Sequence, residues 1–419
     1  MDVNEKFKLV LPYVKVNVWE DYAELATTYN PVNLGMGYPD FLPPHHIIDA
    51  LTEVLSSEDV MLQQYTRAEG HPRLVKALAK MYSPSVNRFI DPLEEIITFA
   101  GAFGALYCTI MGHIQQGDEV IIIEPFFDCY QSMVIAAGGT PKYIPLRFQD
   151  GDATQSSDWV LDFKELDGLF NSKTKAFILN TPHNPFGKVF NKTELLYIAH
   201  LCQKWNVMCI ADEVYEWLVY EPKRHIKMAS LPGMWERTIS IGSAGKTHCI
   251  TGLKVGWAIG PKHLLINLQS GPKLPSSPFA QEAIAIGIEK DLARFGQDDC
   301  FQQLLRKSLK LKTDYMVEVL REIVMEPIVP DAGIFLVADW ASLEAKVDFS
   351  SETGTCKDLQ FTKWFIKNVG VQMIPVSIFY SDANKGLGQN LVRLCYIKKD
   401  ECLQKAANVF REWKTRKSV

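Results

Sequence analysis

Short apolar runs alternate with helical patterns through the middle of the chain. EVIIIEP (119–125), KAFILNTP (175–182), VMCIADEVY (207–215) and TISIGSAGK (238–246) are rich in β-branched residues and close on proline, acid or glycine. Their apolar positions are continuous rather than alternating, which is the pattern of strands covered on both faces. Between them lie stretches such as KTELLYIAHLCQKW (192–205), with apolar residues three and four apart. Strand–helix–strand alternation predicts an α/β fold with a mostly parallel sheet and right-handed crossovers. In such sheets ligands bind beyond the carboxyl ends of the strands. Asn184, Asp212 with Tyr215, and Lys246 each follow one of these ends, so the pattern predicts that they face one crevice.

The texture changes near residue 300. A helical pattern over 301–324 precedes three isolated strands, GIFLVAD (333–339), VQMIPV (371–376) and NLVRLCYI (390–397). That predicts a smaller α+β domain over 300–419 beside a large domain over 45–299. Residues 1–44 read as an N-terminal arm that also contributes to the small domain. Two polar segments, 147–159 and 342–358, lack apolar period and read as exposed excursions. Neither a fixed-period repeat nor a low-complexity tract interrupts the chain.

Composition narrows the function. The 419 residues are 47% hydrophobic with a net charge of −5, which excludes whole-chain disorder and argues against a nucleic-acid or anionic-membrane binder. The N-terminus resembles neither a secretory signal nor a transit peptide, and no apolar run reaches the ~18 residues of a membrane span. Nine cysteines show no metal-ligand spacing, and Cys108, Cys202, Cys209 and Cys395 sit in apolar runs. The expectation is a soluble cytoplasmic protein in a reducing compartment, with no bound metal.

Several residues then stand out for their chemistry. Lys246, in GSAGKTH, follows small residues that let a ligand approach the backbone. A Schiff-base lysine needs such a pocket, with its charge discouraged by burial or a nearby cation. Lys254 and Ser243 suit a phosphate grip. Asp212 ends an apolar strand, either as the N-cap of a following helix or as the partner of a protonated ring nitrogen. On such a helix Tyr215 would share its face. Asn184 lies in a turn-rich loop, NTPHNPFGK. AGAFGAL (100–106) follows the strand EEIITF and would open a helix whose bare N–H groups suit phosphate. Arg393 interrupts the apolar run LVRLCYI, either at a sheet edge with its head in water or as a clamp on a carboxylate.

Together NTPHNPFGKVF, IADEVYEWLVY, SIGSAGKTHCITGLKVGW and LVRLCYIKK resemble the fold-type I pyridoxal 5′-phosphate (PLP) aminotransferases in order and spacing. NLGMGYPDF, QYTRAEGHPRL, DEVIIIEPFFDCY, ASLPGMWERT and IPVSIFYS are similar to the kynurenine aminotransferase, glutamine transaminase K and cysteine-conjugate β-lyase group. The resemblance covers nearly the whole chain. It implies that Lys246 carries the cofactor, Asp212 pairs with its ring nitrogen, and Asn184 and Tyr215 bond its ring oxygen. Phe127 would stack on the ring, and Ser243, Lys254, Ala102 and Phe103 would hold the phosphate. Tyr65 would reach the phosphate of a partner subunit, implying a homodimer. Arg393, Gly37 and Asn184 would bind the substrate carboxylate, and Trp19 and Phe335 the side chain.

The implied reaction is ping-pong transfer of the α-amino group of kynurenine, glutamine or aromatic and sulfur amino acids to 2-oxo acids. The group's other activity, β-elimination from cysteine conjugates, is the alternative, and a silent scaffold is a third reading that the retained Lys246 and Asp212 disfavour. Three places depart from the group's usual pattern: Cys249, the arginine of HPRLV (71–75), and SGPKLPSSPFAQEA (270–283).

Overall fold

The computed structural model describes residues 18–148, 154–270 and 274–417. The apolar runs become seven strands of one sheet: β1 (Ile96–Ala100), β2 (Glu119–Glu124), β3 (Thr140–Pro145), β4 (Thr174–Asn180), β5 (Met208–Asp212), β6 (Thr238–Ser243) and β7 (Val255–Ile259). Their order is β1-β7-β6-β5-β4-β2-β3. β2 to β6 pair in parallel, and β7 alone runs antiparallel, between β1 and β6. Ile121, Ile122, Phe177, Ile210 and Ile239 are almost wholly buried, as strands with helices on both faces require.

The helices follow their amphipathic pattern. Lys192–Lys204 starts at Asn191, whose side chain accepts from the Glu194 N–H while Glu194 reaches back to the Asn191 N–H. This reciprocal pair satisfies two backbone donors that a helix start leaves bare. Leu195, Ile198, Ala199 and Cys202 form its buried stripe against the sheet.

A second, antiparallel sheet contains β8 (Glu326–Ile328), β9 (Phe335–Asp339), β10 (Ile374–Pro375) and β11 (Leu391–Cys395), in the order β8-β9-β11-β10. Its core includes Trp340 stacked on Phe361, ring centroids 4.1 Å apart. The helix Phe301–Glu322 leads into it.

Four sequence expectations need correction. VQMIPV is two short strands. Val371–Gln372 pairs in parallel with Val32–Asn33, while Ile374–Pro375 lies at the edge of the second sheet. Pro375 has no N–H to donate to a further neighbour, so an edge suits it. No helix follows Asp212: residues 214–217 form a turn, so the N-cap reading falls. Arg393 does not sit at an edge, because β11 pairs on both sides and places Arg393 between Val337 and Ile374. The two polar excursions are also anchored. Trp159 stacks on Phe186 at 4.3 Å, and Asp358 is buried, accepting bonds from the Ser377 N–H and hydroxyl. A few anchors among many polar residues leave no period to read. Residues 1–17 of the predicted arm, 149–153 of the first excursion and 271–273 of the atypical segment lie outside the described residues.

Candidate active site

The carboxyl ends of β4, β5, β6 and β1 and the amino end of the antiparallel β7 line up in register. Asn180 lies opposite Asp212, Asp212 opposite Ile241, Ser243 opposite Gly256, and Val255 opposite Ala100. Above them lies a cavity of about 440 Å³, closed on its other side by Phe335 and Arg393 of the second sheet. Lys246, Asp212, Tyr215, Asn184, Ser243, Lys254, Ala102, Phe103, Phe127, Gly37, Trp19, Phe335 and Arg393 all line it. Tyr65 does not: it is 99% exposed, in a region that also exposes Val60 and Met61.

One end of the cavity is positive. β1 runs straight into the helix Gly101–His113, whose first N–H groups have no partner within the helix. Lys254 stands beside it, its Nζ 3.2 Å from where a Cβ on Gly101 would lie. β7 presses against the same helix start. A Cβ at Gly256 would lie 2.3 Å from the Gly101 carbonyl carbon and 2.4 Å from the Ala102 nitrogen. Only glycine allows that approach.

At the other end lies an acid. Burial raises the Asp212 carboxyl to about 6, against the hydrogen bond that Tyr130 donates to Oδ2 at 2.5 Å and the Val214 N–H at 3.4 Å. Asn180 bridges two elements: its Nδ2 donates to the Asp212 carbonyl at 3.0 Å, and its Oδ1 accepts from the Asn184 N–H at 2.7 Å. The loop that presents Asn184 is thereby tied to the strand that presents Asp212.

Lys246 lies in a short helical turn, Ala244–Thr247, directly after β6. Its Nζ donates to the Gly37 carbonyl at 3.2 Å and stands 5.7 Å from the centre of the Tyr215 ring. Burial holds it below the ordinary lysine range, and the charge of Arg393 adds to the depression. A depressed amine spends more time neutral and nucleophilic. Gly37 is needed for shape as well, since a Cβ there would lie 2.5 Å from the Phe335 ring.

Arg393 is buried between Phe335 and Phe379, its guanidinium carbon 4.0 Å and 4.7 Å from the ring centres. It donates to Asn184 Oδ1 at 3.2 Å and to the Gly35 carbonyl at 3.4 Å, while its Nε is buried with no partner among the described residues. Burial brings it down to about 10, so it keeps its charge at neutral pH. A buried guanidinium that meets no carboxylate among the described residues is costly and invites an anionic ligand.

The sequence reading missed Tyr130, Asn180 and Asp128. Asp128 accepts from Trp19 Nε1 at 2.7 Å and so fixes the indole on the cavity wall. Tyr130 and Asp128 both lie in DEVIIIEPFFDCY, where only Phe127 had a role. Asn180 is the last residue of a strand whose motif contains a second asparagine.

Residues 29–410 match the sequence profile of aminotransferase class I and II. The chain is 46% identical to kynurenine–oxoglutarate transaminase 3 of Homo sapiens over 407 residues, covering 96% of this chain and 89% of that protein. It is 41% identical to kynurenine–oxoglutarate transaminase 1 of Homo sapiens over 410 residues, covering 96% of each. The crystal structure of Bna3p from Saccharomyces cerevisiae superposes with a TM-score of 0.89 at 30% identity, covering 96% of this chain and 97% of that one. With the profile spanning both sheets and every cavity residue but Trp19, this chain belongs to the class I and II aminotransferases.

Proposed function

We propose that the chain is a PLP-dependent aminotransferase that moves the α-amino group of kynurenine, glutamine or aromatic and sulfur-containing amino acids to 2-oxo acids. The observation that carries this reading is the convergence of Lys246, Asp212 and Arg393 on one cavity.

The residues present fit the cofactor. Lys254, Ser243 and the N–H groups of Ala102 and Phe103 would hold its phosphate. Asp212 would face the ring nitrogen, Asn184 and Tyr215 the ring oxygen, Phe127 one ring face, and Lys246 the aldehyde carbon. When bound, the group supplies an electron sink for the charge left on Cα. Asp212 keeps that sink protonated, because a buried carboxylate gains most from an adjacent cation.

The chain's own groups do the rest. Arg393 and Asn184 grip the substrate carboxylate, and Gly37 contributes its carbonyl to holding Lys246. Two fixed points orient the Cα–H bond toward Lys246. The Lys246 amine, lowered by burial, takes the proton from Cα and would deliver it, on the same face, to the carbon that was the cofactor's aldehyde. Trp19, Met36, Phe335 and Phe379 give the side-chain end an apolar wall, which suits aromatic and long side chains.

The wider reading is also ours. The chain works as a homodimer in which Tyr65 reaches the partner's phosphate site, and the exposure of Tyr65, Val60 and Met61 supports it. It divides into a large domain (45–299) and a small one (300–419), with residues 1–44 as an N-terminal arm that also contributes to the small domain, in keeping with two separate sheets. It acts in the cytoplasm on small molecules, with neither nucleic acid nor membrane as partner. The acidic net charge supports this, and no helix of the described residues is long and apolar enough to cross a membrane.

A substrate panel tests the function. Kynurenine, glutamine, phenylalanine and methionine, each paired with several 2-oxo acids, should give amino transfer with the parallel double-reciprocal lines of ping-pong kinetics. Release of ammonia and pyruvate from cysteine S-conjugates that outpaces transfer would make the protein a lyase instead.

A further inference from the structure

Behind the cavity, on the far side of the lysine turn, lies a buried polar cluster that the chemistry above does not use. His248 ends the turn Ala244–Thr247, and its N–H donates to the Ala244 carbonyl at 2.8 Å. Its ring, with no exposed surface, meets Asp291 Oδ2 through Nε2 at 2.8 Å. Asp291 belongs to the helix Pro278–Leu292. The same Oδ2 accepts from Gln302 Nε2 at 2.7 Å, and Oδ1 lies 3.2 Å from His46 Nε2. Phe301 lies parallel to the His248 ring, 12° apart in plane with centroids 6.4 Å apart, and stands edge-on to His46.

One carboxylate therefore joins four elements: the lysine turn and the helices His45–Leu55, Pro278–Leu292 and Phe301–Glu322. The last of these leads into the sheet that carries Arg393. The ligating atoms of His46, His248 and Asp291 lie within 4.8 Å of one another, a spacing that a metal ion would also require. The His248 tautomer separates the two readings. Its Nδ1 is buried with no partner among the described residues. A stranded lone pair is easier to bury than a stranded N–H, so the proton sits on Nε2 and points at Asp291. Asp291 stays ionised to receive it: burial alone would raise its carboxyl, but the bonds from His248 and Gln302 and the nearby His46 ring outweigh this and hold it low. The next residue, Cys249, adopts a left-handed φ of 55°, a conformation that a non-glycine residue keeps only when its surroundings hold it there.

We propose that Asp291 is a positioning residue for Lys246. Its carboxylate clamps the lysine turn, through His248, to the helices that meet behind the site. The proposal rests on Lys246 being the cofactor lysine.

Asp291→Asn keeps the shape but removes the charge and replaces one of the two acceptor oxygens with a donor. It should lower kcat about tenfold with KM for the amino donor within about twofold, since a misplaced base costs turnover rather than binding. It should also speed hydrogen exchange of the 244–249 amides in the cofactor-free protein. His248→Leu should reproduce both effects, and His248→Gln, whose amide can still donate to Asp291, should recover most of the loss. Should Asp291→Asn not fold, the two His248 variants carry the test alone. Equal turnover in His248→Leu and His248→Gln would overturn the clamp, as would unchanged kcat in Asp291→Asn, or a chelator that reproduces its effect on the wild type. Lys246→Ala measured in parallel keeps the two claims apart. If Lys246→Ala turns over normally, the lysine assignment fails; if it is inactive while Asp291→Asn matches the wild type, only the clamp fails.

Discussion

At the scale of single residues, the site depends on a carboxylate kept where water does not reach it. The Asp212 carboxyl titrates at about 6 in the folded chain against an ordinary 3.8, because burial penalises its charge. Between those values the folded state holds a proton that the unfolded state has lost. Asp212 therefore favours folding below pH ~4, and its contribution is lost as pH rises through about 6. The shift corresponds to about 3 kcal/mol. Without cofactor, Asp212→Asn should thus be more stable than the wild type at pH 7.5, by an amount of that order, and the difference should vanish below pH 4. Urea unfolding at the two pH values measures it, and equal stabilities at pH 7.5 would contradict the argument. Asp212 and Arg393 stood out as candidates because each is an ionisable group set in apolar sequence, which is costly without a purpose, and Lys246 because small residues lead up to it at a strand end. Tyr130 and Asn180 were not, because a tyrosine or asparagine near a strand end is ordinary until the fold shows what it touches.

At the scale of elements, the parallel strands were legible because burial on both faces leaves continuous β-branched runs. β7 was not recognised in the sequence: GLKVGWAIG (252–260) carries three glycines and a lysine in and around its apolar core. The glycine that blurs the pattern is the one that lets β7 meet the helix start. Gly256→Ala should push its Cβ into Gly101 and Ala102. A destabilisation of about 1–3 kcal/mol is expected, the usual cost of overpacking, together with weaker cofactor binding at the phosphate end. Denaturation of the cofactor-free protein and a cofactor titration test the two effects, and wild-type values in both would show that the approach is not tight. The short strands of the second sheet were harder to bound. VQMIPV reads as one strand, yet its two halves pair with different neighbours, a distinction that periodicity does not carry.

At the scale of the whole molecule, Tyr65 separates a self-contained site from a shared one. It stands exposed outside its own cavity, so its proposed role requires a second copy of the chain. Lys246→Ala and Tyr65→Ala should each be inactive or nearly so. Unfolded and refolded together in equal amounts, they should recover about a quarter of wild-type activity, because half the dimers are hybrids with one intact site in two. No recovery, in a mixture shown to exchange subunits, would place Tyr65 in its own subunit's site, and an active Tyr65→Ala would place it outside catalysis. The most direct test of the central claim is chemical. Purified protein supplied with PLP should show a visible absorption band that borohydride bleaches, and peptide mass analysis should find the reduced cofactor on Lys246. A protein that stays colourless, or a label on any other lysine, would contradict the account.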